Sequence, residues 1–245
     1  MMNTIKKFIS SFFIEPVVVS PQTRDLKEVV VVITGAGGGV GHAVTEVLQR
    51  EGATIVNLSR NAKSEQNVYG VKADVTSPVD LKNAVSEIIQ KFGKIDVLIN
   101  NAGIFLDKPF EEITEKEYDN MMDTNVKGPF ILTGLVVPYM KKAKSGLIIN
   151  IGSKISHNTN VSPKKVMYAT TKYALEGFSL ALSKELKSSG IRVTCLMLGT
   201  VNTFVSFKSK NYLSPHNVGF VISMIIKSKE VDFESILMKS VHQNI

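Results

Sequence analysis

Ile5, Phe8, Ile9, Phe12 and Phe13 recur at helical spacing near the start of the chain, with Lys6 and Lys7 at the flank, and Pro16 ends the pattern. From residue 28 the character changes. Glu28–Thr34 is an almost continuous β-branched run ending in glycines, as expected of a strand buried on both faces. Val40–Glu51 then shows helical spacing, with Val40, Val44, Val47 and Leu48 apolar and Gly52 as a stop, and Ala53–Leu58 is a second buried strand. The alternation predicts further strands at Val68–Ala73, Ile95–Ile99, Leu147–Ile151, Ile191–Leu198 and Phe233–Met238. Between them, Ser77-Pro78 opens a helix to about Phe92, Glu115–Lys142 is a long interrupted helix containing Asn125 and Pro129, and Tyr168–Leu186 is a third. Such alternation implies an α/β chain, three layers built on a doubly wound, mainly parallel sheet of about seven strands, with ligands at the strands' carboxyl ends.

The length of 245 residues and a hydrophobic fraction of 44% suit one large unit over residues 28–245, preceded by an amphipathic extension over residues 1–27. That extension has three readings: a helix docked on the body or on a partner subunit, a disordered arm, or a membrane-surface anchor through residues 1–15. No run approaches the roughly 20 apolar residues of a membrane span, so the body is expected to be soluble and cytoplasmic. Cys195 is the single cysteine and lies in the apolar run Val193–Leu198, which excludes an intramolecular disulfide and suits a reducing compartment.

The net charge of +7 is unevenly placed: residues 141–210 carry 12 Lys/Arg against 2 Asp/Glu, a surplus around Tyr168 that suits an anionic substrate or cofactor. No helix-turn-helix signature or basic ribbon interleaved with aromatics points to nucleic acid.

Candidate chemistry begins at Thr34-Gly35-Ala36-Gly37-Gly38-Gly39-Val40-Gly41, between the first strand and the first helix. The spacing departs from G-x-G-x-x-G, yet a glycine turn opening a helix offers backbone N–H groups and a positive dipole end to a pyrophosphate. The second strand ends in Asn57-Leu58-Ser59-Arg60-Asn61, with no carboxylate for ribose hydroxyls. A 2′-phosphate on Ser59 and Arg60 would gain a charge-assisted bond of about 1.5–3 kcal/mol, roughly 10- to 150-fold in preference. NADP(H) is therefore the preferred cofactor, with NAD(H) open and Arg60 as a plain surface residue the alternative. Further along, Tyr168 and Lys172 lie four apart on a helix and share a face. A phenol titrates near ~10, and drawing it to neutrality takes roughly 4 kcal/mol, the direction in which a fixed cation works.

Taken with Asp74, Asn100–Gly103, Asn125 and Ser153 in this order, these residues resemble the short-chain dehydrogenases/reductases, in their branch of roughly 250 residues. The resemblance runs from about Glu28 to the C-terminus. It implies a Rossmann fold, a nicotinamide cofactor, and hydride exchange with a carbonyl or alcohol. By that resemblance Tyr168 is the general acid or base, Lys172 holds the nicotinamide ribose, Ser153 donates to the substrate oxygen, and Asn125 positions a relay water. Gly35, Gly39, Val40 and Gly41 would admit the pyrophosphate, Asp74 and Val75 the adenine, Asn101, Ala102 and Gly103 the adenosine ribose side, and Val201 and Thr203 the nicotinamide. Asp74 as a plain cap, Ser153 as a turn hydroxyl and Asn125 as a helix-kink residue are the structural alternatives.

The chain departs from the family at Leu198, where a proline usually precedes this glycine, so a looser exit from the sixth strand is expected. Phe204–Ser214 is short for a substrate lid, which suggests an open site. The ending lacks the glycine-rich terminus of many tetrameric members, which leaves the oligomeric state open, a homo-oligomer included. The resulting expectation is an NADPH-dependent reductase of a small-molecule carbonyl. A 3-oxoacyl thioester on an anionic carrier is one candidate, met by Lys154, Lys164 and Lys165. The alternatives are an alcohol or polyol dehydrogenase running oxidatively and a non-catalytic NADP-binding sensor or scaffold.

Overall fold

A computed structural model describes residues 24–65, 67–157, 161–202, 212–229 and 231–240. The amphipathic extension expected over residues 1–27 therefore lies outside the described residues up to residue 23. So do Thr203 and most of the expected lid segment.

Seven strands form one sheet in the order β3-β2-β1-β4-β5-β6-β7, and every neighbouring pair is parallel. They are β1 (Val30–Thr34), β2 (Thr54–Ser59), β3 (Val68–Lys72), β4 (Val97–Asn100), β5 (Gly146–Ser153), β6 (Ile191–Leu198) and β7 (Ser235–Met238). The order reverses between β1 and β4, which opens a crevice beyond their carboxyl ends. Strand β1 is buried throughout, and its period of two sends alternate residues to opposite cores.

Val31 and Ile33 pack with Val44 and Leu48 of α1 (Gly39–Arg50). Val30 and Val32 pack with Leu81 and Val85 of α2 (Pro78–Phe92) on the other face. That second face also carries Leu132 and Val136 of α4 (Gly128–Ala143) and Leu186 of α5 (Val166–Leu186), completing the three layers.

The long interrupted helix resolves into α3 (Glu115–Met122), a π turn over Asp123–Lys127, and α4. Gly128 N–H reaches back to the Asp123 carbonyl, five residues earlier. Pro129 has no N–H, so the Asn125 carbonyl has no donor four residues on, and the wider turn is the backbone's answer. A helix that the hydrophobic pattern did not assign, α6 (Pro215–Lys227), packs across α1. Its signal was present, because Ser214-Pro215 opens it as Ser77-Pro78 opens α2. The crossing is close enough that a Cβ on Gly219 would lie 2.8 Å from a methyl of Val47.

Candidate active site

A cleft of about 1260 Å³ lies beyond the carboxyl ends of the central strands. Gly35, Val40, Ser59, Arg60, Asp74, Val75, Asn101, Ala102, Gly103, Ser153, Tyr168, Lys172 and Val201 all line it. Gly39, Gly41 and Asn125 do not reach its wall.

Gly41 acts from behind. A Cβ there would stand 2.4 Å from the Gly35 oxygen and 2.7 Å from Asn101 Nδ2, so the first turn of α1 meets the β1 exit at a distance only glycine permits. Gly35 itself has φ +66°, in the left-handed region. Asn101 Nδ2 donates to the Thr34 and Gly35 carbonyls at 2.9 and 3.2 Å. The Thr34 hydroxyl accepts from Asn101 N–H and Ala102 N–H at 3.0 and 2.9 Å. This bracing role of Thr34 went unrecognised among the candidate site residues. Gly38 caps α1 with no side-chain hydrogen bond, and no acidic residue occupies the first turn. Uncapped N–H groups beside a glycine cradle fit a pyrophosphate.

Beside this cradle, where β2 ends next to β1, Ser59 is half-buried and Arg60 exposed. Asp74 Oδ1 accepts from the Thr76 backbone N–H at 2.9 Å and the Thr76 hydroxyl at 2.8 Å. These two bonds, with a smaller contribution from Arg60, hold the Asp74 carboxyl below its ordinary range.

Ser153 ends β5, its Oγ accepts from Ile155 N–H at 3.3 Å, and its hydroxyl works to lower the pKa of the Tyr168 phenol. Phe105, not anticipated from sequence, sets its ring edge-on to Tyr168 at 4.9 Å. Lys172 is 7% exposed, donates to the Ile151 carbonyl at 2.8 Å, and stands 5.6 Å from the Tyr168 ring centre. Burial lowers its pKa to about 8. Burial also raises the Tyr168 phenol above its ordinary value, against a smaller opposing effect of Ser153. Burial thus sets the direction of the shift at both groups. Burial holds the Tyr168 phenol in its protonated form.

Asn125, on the π turn, is 1% exposed and ties the Ile104 peptide to Thr171. The exit of β6 is not loose despite Leu198. Gly199 N–H donates to the Met238 carbonyl at 2.7 Å, so β7 supplies the restraint expected of a proline.

The positive surplus is divided between the two ends of the molecule. Lys154 and Lys165 line the cleft, and Lys164 is exposed beside it. Lys141, Lys142 and Lys144 end α4, while Lys184, Lys187 and Arg192 end α5 and begin β6, at the amino ends of the strands. Sequence proximity to Tyr168 misplaces these six, because each helix carries the chain back across the sheet and cations favour helix C-termini. Among the described residues no helix is long and apolar enough to cross a membrane, and no group of three His, Cys, Asp or Glu is placed to hold a metal.

The short chain dehydrogenase family model matches residues 29–212. An uncharacterized oxidoreductase of Staphylococcus saprophyticus is 38% identical over 191 residues, 74% of this chain and 77% of that protein. The 3-oxoacyl-[acyl-carrier-protein] reductase of Thermotoga maritima is 36% identical over 71% of this chain and 74% of its own length. Among solved structures, the alcohol dehydrogenase of the archaeon Thermococcus sibiricus, complexed with 5-hydroxy-NADP, superposes with a TM-score of 0.80 at 25% identity, covering 89% of this chain and 98% of that one. The chain belongs to the short-chain dehydrogenase/reductase family, whose cofactor is a nicotinamide dinucleotide, and is an oxidoreductase acting on CH–OH and C=O groups.

Proposed function

We propose that the protein is an NADPH-dependent carbonyl reductase, with a 3-oxoacyl thioester as the leading substrate class. The observation that carries this reading is the convergence of Ser153, Tyr168 and Lys172 on one cleft whose far end holds the glycine cradle and Arg60. A bound nicotinamide cofactor supplies the hydride. The chain supplies the rest. Tyr168, protonated, gives its proton to the carbonyl oxygen, and Ser153 donates a hydrogen bond to that same oxygen, where negative charge develops. An ammonium carries three donors; Lys172 commits one to Ile151, and we assign the others to the ribose hydroxyls. Asn125 fixes the turn that sets the height of Tyr168 and Lys172 above the sheet.

The preference for NADPH rests on the absence of a carboxylate at the end of β2 and on Ser59 and Arg60 lining the cleft there. Titrating NADPH and NADH into the wild type and Arg60→Ala tests it. Tighter NADPH binding, with the gap narrowing about tenfold in the variant, is the expected result. Equal or tighter NADH binding overturns it. The thioester class is supported by Lys154 and Lys165 at the cleft and by the reductase relative from Thermotoga maritima. The neighbour named an alcohol dehydrogenase supports a second reading, oxidation of an alcohol by the same residues in reverse.

A further inference from the structure

At the amino ends of the strands, away from the catalytic cleft, a second cavity of about 500 Å³ gathers Arg24, Lys187, Arg192 and Lys229 on its wall, with Asp232 the one carboxylate among its described lining residues. Four separate parts of the fold deliver these cations. Arg24 lies in the segment that precedes β1 and donates its backbone N–H to the Lys227 carbonyl at the end of α6. Lys187 follows α5, Arg192 is the second residue of β6, and Lys229 follows α6.

Helix C-termini attract cations, and that accounts for part of the arrangement. Arg192 Nη1 donates to the Ile225 and Val231 carbonyls at 3.3 and 2.9 Å. Arg24 pairs with Asp96 at 2.6 Å, an aspartate that Lys94 also meets at 3.1 Å. Lys187 and Lys229 stand at the C-terminal ends of α5 and α6; among the described residues neither forms an ion pair within 4.0 Å, although Lys187 acts on the Glu234 carboxylate from farther away. Burial disfavours the Arg192 charge, Asp232 opposes this, and nearby Arg24 adds a smaller unfavourable effect. A concave, partly desolvated wall with several cations and one carboxylate concentrates anions.

We propose that this cavity binds a phosphoryl group, with the Arg24 and Arg192 guanidinium planes meeting its oxygens and Lys187 and Lys229 closing the rim. The site is separate from the hydride-transfer cleft and does not depend on the activity assigned there.

The test is calorimetric titration of the full chain with inorganic pyrophosphate at physiological ionic strength. Comparison is with the Lys187→Glu/Lys229→Glu double variant, both positions being exposed, and with Arg60→Ala as a marker of the nucleotide cleft. The expected result is a saturable binding component that weakens at least about tenfold in the double variant and persists in Arg60→Ala. Absence of saturable binding, or identical titrations for wild type and double variant, overturns the proposal. So does loss of the component in Arg60→Ala. Sedimentation with phosphatidylcholine vesicles, with and without phosphatidic acid, separates two sources of the phosphoryl group. Binding to the anionic vesicles that pyrophosphate competes away identifies a lipid headgroup; pyrophosphate binding without vesicle binding identifies a soluble phosphorylated ligand.

Discussion

Asn125 and Ile104 exchange two hydrogen bonds: Ile104 N–H donates to Asn125 Oδ1 at 2.8 Å, and Asn125 Nδ2 donates to the Ile104 carbonyl at 2.9 Å. The same Nδ2 donates to Thr171 Oγ1 at 3.1 Å, and the Thr171 hydroxyl donates to the Tyr168 carbonyl at 2.8 Å. One buried amide therefore joins the loop after β4 to the helical turn bearing Tyr168. Asn125→Ala leaves buried partners unpaired and is predicted to lower unfolding free energy by about 1–3 kcal/mol, read by urea denaturation. Asn125→Asp keeps the acceptor for Ile104 N–H but loses both donations, and its loss of turnover should match that of Asn125→Ala.

The buried ammonium of Lys172 makes stability depend on pH. Its pKa is about 8 in the folded chain against an ordinary 10.5, so between these values the unfolded chain holds more protons. Stability then rises with pH from about 8, by at most roughly 1.4 kcal/mol per unit. The Cys195 thiol, which burial raises from 9.0 to about 11, opposes this from pH 9 upward, because there the folded chain holds the extra proton. Chemical denaturation across this range should show a rise confined to about pH 8–9, and Lys172→Met should abolish it.

Two glycines of the same turn should respond oppositely to one methyl group. The Cβ of Gly41→Ala would meet the Gly35 oxygen at 2.4 Å, a backbone atom that cannot swing away, whereas that of Gly37→Ala meets nothing within 4 Å. Overpacking of this kind costs about 1–3 kcal/mol, so Gly41→Ala should weaken nucleotide binding and lower the melting temperature. Gly37→Ala should leave both within experimental error, as fluorescence titration and thermal unfolding would show.

Much of the fold was legible because buried parallel strands are written as apolar runs. Boundaries moved by one or two residues, as at Glu28 against Val30 and Ile95 against Val97, since strand ends are set by pairing partners. The site positions could be named because glycine turns and the Tyr168–Lys172 spacing are local patterns. What tertiary packing decides could not be read locally. The edge-on Phe105 ring lies 63 positions from Tyr168, Met238 restrains Gly199 from a different strand, and the lysines ending α4 and α5 sit across the sheet from the cleft. The raised phenol of Tyr168 and the depressed Lys172 are likewise products of burial, which spacing alone does not report.

The most direct measurement is NADPH oxidation with a panel of carbonyls, 3-oxoacyl thioesters included, by the wild type and Tyr168→Phe. Turnover by the wild type, falling by about 10²–10⁴-fold in Tyr168→Phe with NADPH affinity unchanged, is the predicted result. Wild-type turnover that survives in Tyr168→Phe, or NADPH binding with no reduction of any carbonyl, would contradict the assignment of Tyr168 as the acid of an NADPH-dependent reductase.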